Sequence, residues 1–214
     1  MAAIEVTELS ICNQALVALG ANTLEVFGED TKNGRLCTIM FNQTKNSALT
    51  DHIWGFAQKR FALIPSTVPA DPVWTDDLMT EIYDKPTDCL KANFTNIESA
   101  IVKIEGDKIL SNEPGLKIKY TEEIIDVTKF FPKFIEALVG KLAAELAYAV
   151  TSSRTLAEGL FKLYYDTKLP KAVSLDSQQG TPQGVAQDSI LISRMSGGST
   201  LIGRAGFETW YPVC

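Results

Sequence analysis

The stretch LTDHIWGFAQKRFAL, residues Leu49 to Leu63, decides the fold because the hydrophobic period of the chain changes within it. Before this stretch, apolar residues recur at three- and four-residue steps, as they do along one face of a helix. Within it, Trp54, Phe56 and Phe61 follow one another closely and the helical period is lost. The pattern predicts a turn followed by an extended segment, so this stretch joins a helix to a strand.

The same stretch contains the only histidine of the chain, His52, which stands beside Asp51. A catalytic pair is one interpretation. However, neighbouring side chains on a helix point in different directions, so adjacency in sequence brings no chemistry together. We therefore interpret His52 as a structural residue at the end of the second helix, where an imidazole interacts favourably with the helix dipole.

No phosphate-binding loop, dinucleotide fingerprint, HExxH motif or nucleophile elbow occurs in the sequence. The cysteines, Cys12, Cys37, Cys89 and Cys214, are scattered and form no C-x-x-C pair, which argues against a zinc site. Cys12 and Cys37 fall on apolar helical faces, where we expect them to pack as small hydrophobic residues. We predict no catalytic residue, no cofactor and no metal.

Two helices are predicted before the junction. TELSICNQALVALGAN, which begins at Thr7, has apolar residues at helical spacing, with Thr7 as the N-cap and Gly20 just past the end. The second helix extends from about Asp30 to Asp51, and Thr31 or Asp30 caps it.

From Met79 to Tyr120 the period changes to two, which is typical of short strands. The segment 105–107, Glu-Gly-Asp, is predicted to turn between two of them, since glycine accepts a positive φ. Leu116, Ile118 and Tyr120 alternate with lysines, so one face of the predicted sheet contacts water.

Helical period returns at Pro132, which suits the first position of a helix. The segment Thr155-Leu-Ala-Glu158 has the pattern of a capping box and is predicted to begin a fourth helix. Pro170 is expected to kink or break that helix.

The last residues, 181–214, are rich in glycine, yet they contain Ile190, Ile192, Phe207, Trp210 and Tyr211. Disordered tails are usually poor in aromatic residues. We therefore predict an extended arm that becomes ordered against a partner, with these five residues as anchors. The alternative is that the arm folds back on its own chain.

The net charge of −6 and the lack of a run of basic residues argue against tight binding to nucleic acid. No apolar run reaches the roughly 20 residues that a membrane span needs, and the amino terminus lacks the features of a secretory signal. We expect synthesis in a cytoplasm and no membrane partner.

Several segments carry a shared pattern. Its residues are Cys12, Asn13, Ala15, Leu16, Leu19 and Gly20 in the first helix, Leu36 and Cys37 in the second, His52, Trp54, Phe56, Ala57, Arg60 and Leu63 in the junction, and Tyr83, Pro86, Asp88, Cys89 and Leu90 in the middle. With EGDKILSNEPGLKIKY and FFPKFIEALVGKLAAELAYAVTSS, this pattern resembles the head–tail adaptor proteins of short-tailed phages, also called tail tubular protein A. The likeness extends over residues 8–180. Ile53 departs from the family, which often has proline before the tryptophan, and the last thirty or so residues have no match.

The resemblance implies a virion protein at the head–tail junction that forms a twelve-subunit ring. Such a ring would lie between the portal protein and the tail nozzle protein and would extend the DNA channel, with DNA passing through it without specific binding. The implied role of the junction residues His52, Trp54, Phe56 and Arg60 is structural: the aromatic residues fill the seam and Arg60 pairs across it. The alternatives are a tail enzyme that cleaves cell-wall glycan with an acidic pair, such as Asp76-Asp77 or Glu122-Glu123, and a helical binding module of the host.

The expected fold is α+β. A bundle of about four helices, residues 7–52 and 130–178, holds an inserted antiparallel sheet at about residues 60–120. Together these segments form an adaptor domain, residues 1–180, and the extended carboxy-terminal arm follows at residues 181–214.

Overall fold

The structure, a computed structural model, describes residues 6–66, 79–179 and 211–212. The fold is α+β, as predicted, with a helical bundle and an inserted β region between the second and third helices. The helices are α1 (Glu8–Ala18), α2 (Lys32–Thr50), α3 (Pro132–Thr151), α4 (Arg154–Leu163) and α5 (Leu169–Gln178). The strands are β1 (Gln58–Ala62), β2 (Glu81–Asp84), β3 (Cys89–Thr95), β4 (Val102–Glu105), β5 (Lys108–Ser111), β6 (Lys117–Glu122) and β7 (Tyr211–Pro212).

The caps of the first two helices lie where the sequence predicts them. The Thr7 hydroxyl accepts a hydrogen bond from the Ser10 backbone N–H, and the Ser10 hydroxyl lies 3.0 Å from the Thr7 backbone N–H, so the two residues form a reciprocal capping box. Gly20 follows α1 with a φ of 68°, a conformation that favours glycine. Thr31 caps α2 by accepting a hydrogen bond from the Gly34 backbone N–H.

Helix α3 is the centre of the bundle. Pro132 occupies its first turn, as predicted, and the helix packs against α1, α2 and α4. Because neighbours cover it on several sides, most of its residues from Phe134 to Ala147 are buried. Cys12 and Cys37, from α1 and α2, are fully buried in the same core, which confirms that they pack as hydrophobic residues.

The predicted start of the fourth helix is wrong by two residues. Ser152 has a φ of 56°, which ends α3, and the Ser153 hydroxyl caps α4 by accepting a hydrogen bond from the Leu156 backbone N–H. Thr155 therefore lies inside the first turn. Glu158 forms an exposed ion pair with Arg154 and does not close a capping box. Serine is among the preferred N-cap residues, and Ser153, which follows the left-handed Ser152, caps α4.

Pro170 does not break the last helix. A π-helical turn, Tyr164–Lys168, connects α4 directly to α5, and Pro170 lies in the first turn of α5. A proline inside a helix has no N–H to donate and its ring collides with the preceding turn. The wider π turn immediately before Pro170 changes the hydrogen-bond step there, and the chain continues as a helix.

The inserted region forms two small sheets instead of the single sheet that we expected. The first has the strand order β1-β6-β3-β7, and the second has the order β2-β5-β4. Gly106, with a φ of 58°, forms the turn between β4 and β5, as predicted. On and beside β6, Leu116, Ile118 and Tyr120 are buried while Lys117 is exposed, which confirms the alternation.

Internal contacts divide the chain into two compact units. The helical unit comprises the described residues within Met1–Lys59, Pro86–Ala92 and Tyr120–Asp176, and the β unit those within Arg60–Lys85, Asn93–Lys119 and Ser177–Cys214. The helical unit contains the aromatic core. In the β unit, Tyr83, Ile109 and Leu116 are fully buried, and the Tyr83 hydroxyl donates a hydrogen bond to the Glu113 carbonyl.

The position of the α4 cap is testable. Ser153→Ala removes the acceptor for the Leu156 N–H and should lower the free energy of unfolding by about 1 kcal/mol. Thr155→Ala, the matched control, changes an exposed residue within the helix and should stay within about 0.5 kcal/mol of the parent. Urea unfolding followed by circular dichroism measures both. A larger loss of unfolding free energy for Thr155→Ala than for Ser153→Ala would show that Thr155 is the cap.

Candidate functional site

The part of the helix-to-strand junction up to Lys59 lies in the helical unit and is built around Trp54. Helix α2 ends at Thr50, and a short 3-10 helix, Gly55–Ala57, follows Trp54. The indole is fully buried, and its Nε1–H donates a 2.9 Å hydrogen bond to the Ala48 carbonyl near the end of α2. This bond satisfies both a buried indole donor and one of the carbonyls left open where a helix ends.

Aromatic rings from the start of α3 surround the indole. Phe134 lies 5.0 Å from the Trp54 ring centroid, and Phe56 lies 5.1 Å from Phe134, in both cases with the rings close to edge-to-face. Phe130 and Phe131 extend the cluster. These distances and angles are those that aromatic pairs prefer. Trp54 and Phe56 therefore fix the end of α2 to the beginning of α3.

The imidazole of His52 is placed by Asp176 and Trp54. Its Nε2 lies 3.4 Å from an oxygen of the Asp176 carboxylate, and its ring meets the Trp54 ring edge-on at 4.9 Å. The Asp176 carboxylate is nearly buried and also accepts the Gly55 backbone N–H, at 3.0 and 3.1 Å. His52 thus belongs to a contact between the junction and α5.

Asp51 takes part in a different buried network, which the sequence analysis does not identify. The Lys141 ammonium lies 2.6 Å from the Asp51 carboxylate and 2.7 Å from the Ser47 hydroxyl. The Tyr164 hydroxyl donates a 2.6 Å hydrogen bond to the same Asp51 oxygen, and Lys141 lies over the Tyr164 ring. Burial and the Asp51 carboxylate raise the pKa of Tyr164, so the phenol remains a donor. The network joins α2, α3 and the π turn.

The one sequence signal for this network is a lysine within an alanine-rich apolar stripe. Lys141 lies on the buried surface of α3, where a charged residue needs a partner. Neither its partner nor the role of Tyr164 follows from spacing, because 90 residues separate Lys141 from Asp51 along the chain. The prediction that Asp51 and His52 point to different places is confirmed by their separate partners.

A second polar cluster of the helical unit lies around Asp88. Its carboxylate receives hydrogen bonds from Lys59 at 2.5 Å and from the Tyr120 hydroxyl at 2.8 Å, and Lys59 also contacts Glu122. Burial acts to raise the pKa of Asp88, but the bonds from Lys59 and Tyr120 outweigh it, and the pKa lies below its usual value. Lys59 and Asp88 are therefore held as ions.

The acidic pair Glu122-Glu123 is divided between two structural contacts. Glu122 interacts with Lys59, and Glu123 accepts a hydrogen bond from the Asn46 side chain. The other pair, Asp76-Asp77, lies outside the described residues. Within the described ranges, no group of histidine, cysteine and acidic side chains could hold a metal ion. No helix among these residues is long and apolar enough to cross a membrane.

The remaining predicted site residues are Arg60 and the anchors of the arm. Arg60 is an exposed residue of β1. Ile190, Ile192, Phe207 and Trp210 of the arm lie outside the described residues, whereas Tyr211 and Pro212 form β7, whose backbone pairs with Phe94 and Thr95 of β3. No protein-family model matches the chain, and no curated protein matches it.

Trp54 should be the most sensitive residue of the junction. Trp54→Ala removes a fully buried aromatic side chain and should lower the free energy of unfolding by roughly 3–5 kcal/mol, as for other buried aromatic residues. His52→Gln keeps a polar side chain at a partly exposed position and should leave the fold intact. Thermal unfolding of both variants tests this, and a Trp54→Ala protein that melts like the parent would show that the junction is not a core.

The buried ion pair should respond asymmetrically to substitution. The Lys141 side chain is 3% exposed and that of Asp51 is 20% exposed. Asp51→Asn leaves a buried ammonium without a counter-charge and should cost roughly 3–5 kcal/mol. Lys141→Met should cost less, because the Asp51 carboxylate keeps the Tyr164 hydroxyl and contact with water. The double variant Asp51→Asn/Lys141→Met should be more stable than Asp51→Asn alone, because it no longer contains the unpaired ammonium. A larger loss of stability for Lys141→Met than for Asp51→Asn would show that the Lys141 ammonium does not depend on the Asp51 carboxylate.

Asp88 should contribute to acid unfolding. Since its pKa in the folded state lies below the ordinary value of about 3.9, its stabilising effect is complete above that value and is lost as the pH falls through the lowered pKa. Asp88→Asn should therefore be less stable than the parent at neutral pH and show a smaller loss of stability in acid. Glu158→Gln, in an exposed ion pair with Arg154, is the control and should keep the parental pH profile.

Proposed function

We propose that this chain is a structural protein of a bacteriophage virion. It acts as a head–tail adaptor, and its copies form a ring that joins the portal protein to the tail nozzle protein and extends the DNA channel. The observation that carries the proposal is the architecture: a β region inserted between the second and third helices of a bundle, with the adaptor-like junction motif at the point of insertion. The protein would be made in the host cytoplasm and would reside at the head–tail junction.

The chemistry of the junction supports a scaffold and not an active site. Trp54 and Phe56 lie in an aromatic cluster, Asp51 neutralises Lys141, and His52 contacts Asp176. Glycan hydrolysis requires two carboxyl groups at a set distance across a cleft. Glu122 and Glu123 are instead directed to Lys59 and Asn46. A scaffold role explains these contacts without any substrate.

A ring also needs two different surfaces on each copy, because head-to-tail contacts are heterologous. Helix α4 offers one candidate surface, since none of its residues is fully buried. A groove beside it is lined by Tyr148, Arg154, Ala157, Glu158 and Phe161. Tyr148 is 64% exposed, and Leu156 and Leu163 of α4 are also exposed. We assign this groove, which the Arg154–Glu158 ion pair helps to line, to contact with the next copy.

The carboxy-terminal arm would supply a further contact. Four of its proposed anchors, Ile190, Ile192, Phe207 and Trp210, combine β-prone and aromatic residues, which are suited to adding a strand to a sheet edge and to filling a pocket. The backbone of the fifth, Tyr211, pairs with β3 of its own chain, which at that residue agrees with the alternative that the arm folds back. An arm that extends to a neighbouring copy or to the portal would resist the pressure of packaged DNA better than a flat contact.

Electron microscopy of the chain mixed with its cognate portal protein tests the adaptor function directly. We expect rings of adaptor subunits, twelve in the proposed assembly, stacked on one face of the portal. Tyr148→Glu places a charge in the α4 groove and should reduce ring formation while the circular dichroism spectrum stays unchanged. A folded chain that never binds the portal would instead favour the host binding module, and hydrolysis of cell-wall glycan by the purified chain would favour the enzyme.

Removal of the arm provides a separate test. A chain that ends at residue 180 should retain the helical circular dichroism signal but dock on the portal much more weakly than the full chain. Limited proteolysis should cleave the arm faster in the isolated chain than in the assembly. Equal protease resistance in both states, or unchanged docking of the truncated chain, would refute the arm as a partner-binding element.

A further inference from the structure

The second sheet, which lies in the β unit, has one covered edge and one open edge. At the covered edge, the Asp84 backbone N–H donates a 3.2 Å hydrogen bond to the Ile64 carbonyl. The Ser66 N–H donates one of 2.8 Å to the Ile82 carbonyl. The other edge is β4, which pairs with β5 and with no further strand of the described residues. An open edge presents unpaired backbone donors and acceptors, so it can accept an additional strand.

The hydrogen-bond pattern of the β4–β5 hairpin identifies the outward groups of β4. Glu105 pairs with Lys108 across a two-residue loop, and the residues that flank such a loop bond to each other. Bonded and non-bonded positions alternate along an antiparallel pair, so the backbone of Lys103 also bonds to β5. The backbone N–H and C=O groups of Val102 and Ile104 therefore point away from β5, towards the open side.

Ile104 also has an exposed apolar side chain at this edge. Ile104 lies opposite Ile109, and Ile109 lies opposite Tyr83, so the three side chains form an apolar row on one face of the sheet. Tyr83 and Ile109 are buried, whereas Ile104 is 44% exposed, and Ile101, just before β4, is 48% exposed. A strand added beside β4 would continue the apolar row and cover Ile104. Because the single chain leaves both isoleucines exposed, another molecule would supply that strand.

We propose that β4 is the docking site for residues 189–193, SILIS, of a neighbouring copy. This segment is uncharged and β-prone, and its five residues match the four of β4 in length. Side chains alternate along a strand, so Ile190 and Ile192 would share one face. Main-chain hydrogen bonds to Val102 and Ile104 supply the affinity, and contact between the isoleucines selects the face that the segment presents.

The described part of the arm supports this occupant. Tyr211 and Pro212 form a short antiparallel strand, β7, at the edge of β3 in the first sheet. The 31 residues 180–210 could extend over roughly 100 Å, which suffices to reach a neighbouring copy and return. The arm and β4 are two different surfaces, as a ring requires, whereas β4 paired with β4 of a second copy would close a dimer. The inference rests on the proposed arm contact and names its acceptor.

Nuclear magnetic resonance titration of the full ¹⁵N-labelled chain with a synthetic peptide of residues 187–195 tests this docking. The amides of Val102 and Ile104 should shift, and they should become protected from hydrogen exchange as peptide is added. The same peptide with Ile190→Asp/Ile192→Asp should not bind, because it places charges against the apolar row. This peptide variant requires no change to the protein, so the result does not depend on the fold of a mutant chain.

The acceptor edge is tested by a substitution that removes a single donor. Ile104→Pro lacks the outward N–H but loses no bond to β5, because that N–H is not part of the hairpin ladder. Peptide binding should weaken by at least roughly tenfold, the effect of one lost backbone hydrogen bond. Ile104→Val keeps the N–H and a β-branched side chain and should bind within about twofold of the parent. Retention of the parental melting temperature shows that both variants are folded.

Three outcomes would overturn the proposal. The first is the absence of shifts at β4, or equal binding by a peptide of residues 197–205, another apolar stretch of the arm. The second is an Ile104 amide that is protected in the dilute full chain and loses this protection with Ile190→Asp/Ile192→Asp, which would assign β4 to the arm of the same chain. The third is protection that rises with protein concentration and persists in that double variant, which would assign the edge to β4 of a second copy.

Docking of the chain on the portal is measured separately from peptide binding. If docking still requires the arm while the peptide does not bind β4, this inference fails and the proposed adaptor function stands. If the peptide binds β4 but the full chain never docks on the portal, the adaptor function fails and the strand contact between copies stands.

Discussion

The helical unit depends on the burial of one indole at the end of α2. Trp54 has no exposed surface, and its N–H is bonded to the Ala48 carbonyl, so the last turn of α2 and the start of the β region share one packed side chain. Phe134 brings the first turns of α3 to the same place. Because the β region is inserted between α2 and α3, the chain must begin α3 close to the point where it leaves α2. The aromatic cluster provides that closure, since edge-to-face rings bury a large apolar surface at defined angles.

The helical unit also contains a buried charge, the Lys141 ammonium, and other residues of the unit compensate the free-energy cost of burying it. Removing an ammonium group from water costs several kcal/mol unless a counter-charge and hydrogen bonds replace the lost hydration. Asp51, Ser47 and the Tyr164 ring provide these contacts for Lys141. The π turn belongs to the same arrangement, because it contains Tyr164 and leads directly into Pro170 and α5. A local irregularity of the helix and a buried ion pair are thus two parts of one contact.

The net charge of the chain does not describe how its charged residues are placed in three dimensions. A net charge of −6 without a basic run predicts that the chain does not bind DNA strongly. The strand register nevertheless places Arg60 opposite Lys119, so two cationic residues that are far apart in the sequence become neighbours in one sheet.

Local sequence determined the elements whose causes are local. The caps at Thr7 and Thr31, the turn at Gly106 and the alternation along β6 were all predictable, because each depends on a backbone conformation or a period of a few residues. The start of α4 was not, since Thr155 and Ser153 both satisfy the local pattern and the left-handed Ser152 decides between them. The division into two sheets, the partner of Lys141, the contact of His52 with Asp176 and the placement of Arg60 opposite Lys119 required the tertiary structure. Each of these joins residues far apart in the chain, and only the packing of helices and the register of strands determine which distant side chains meet.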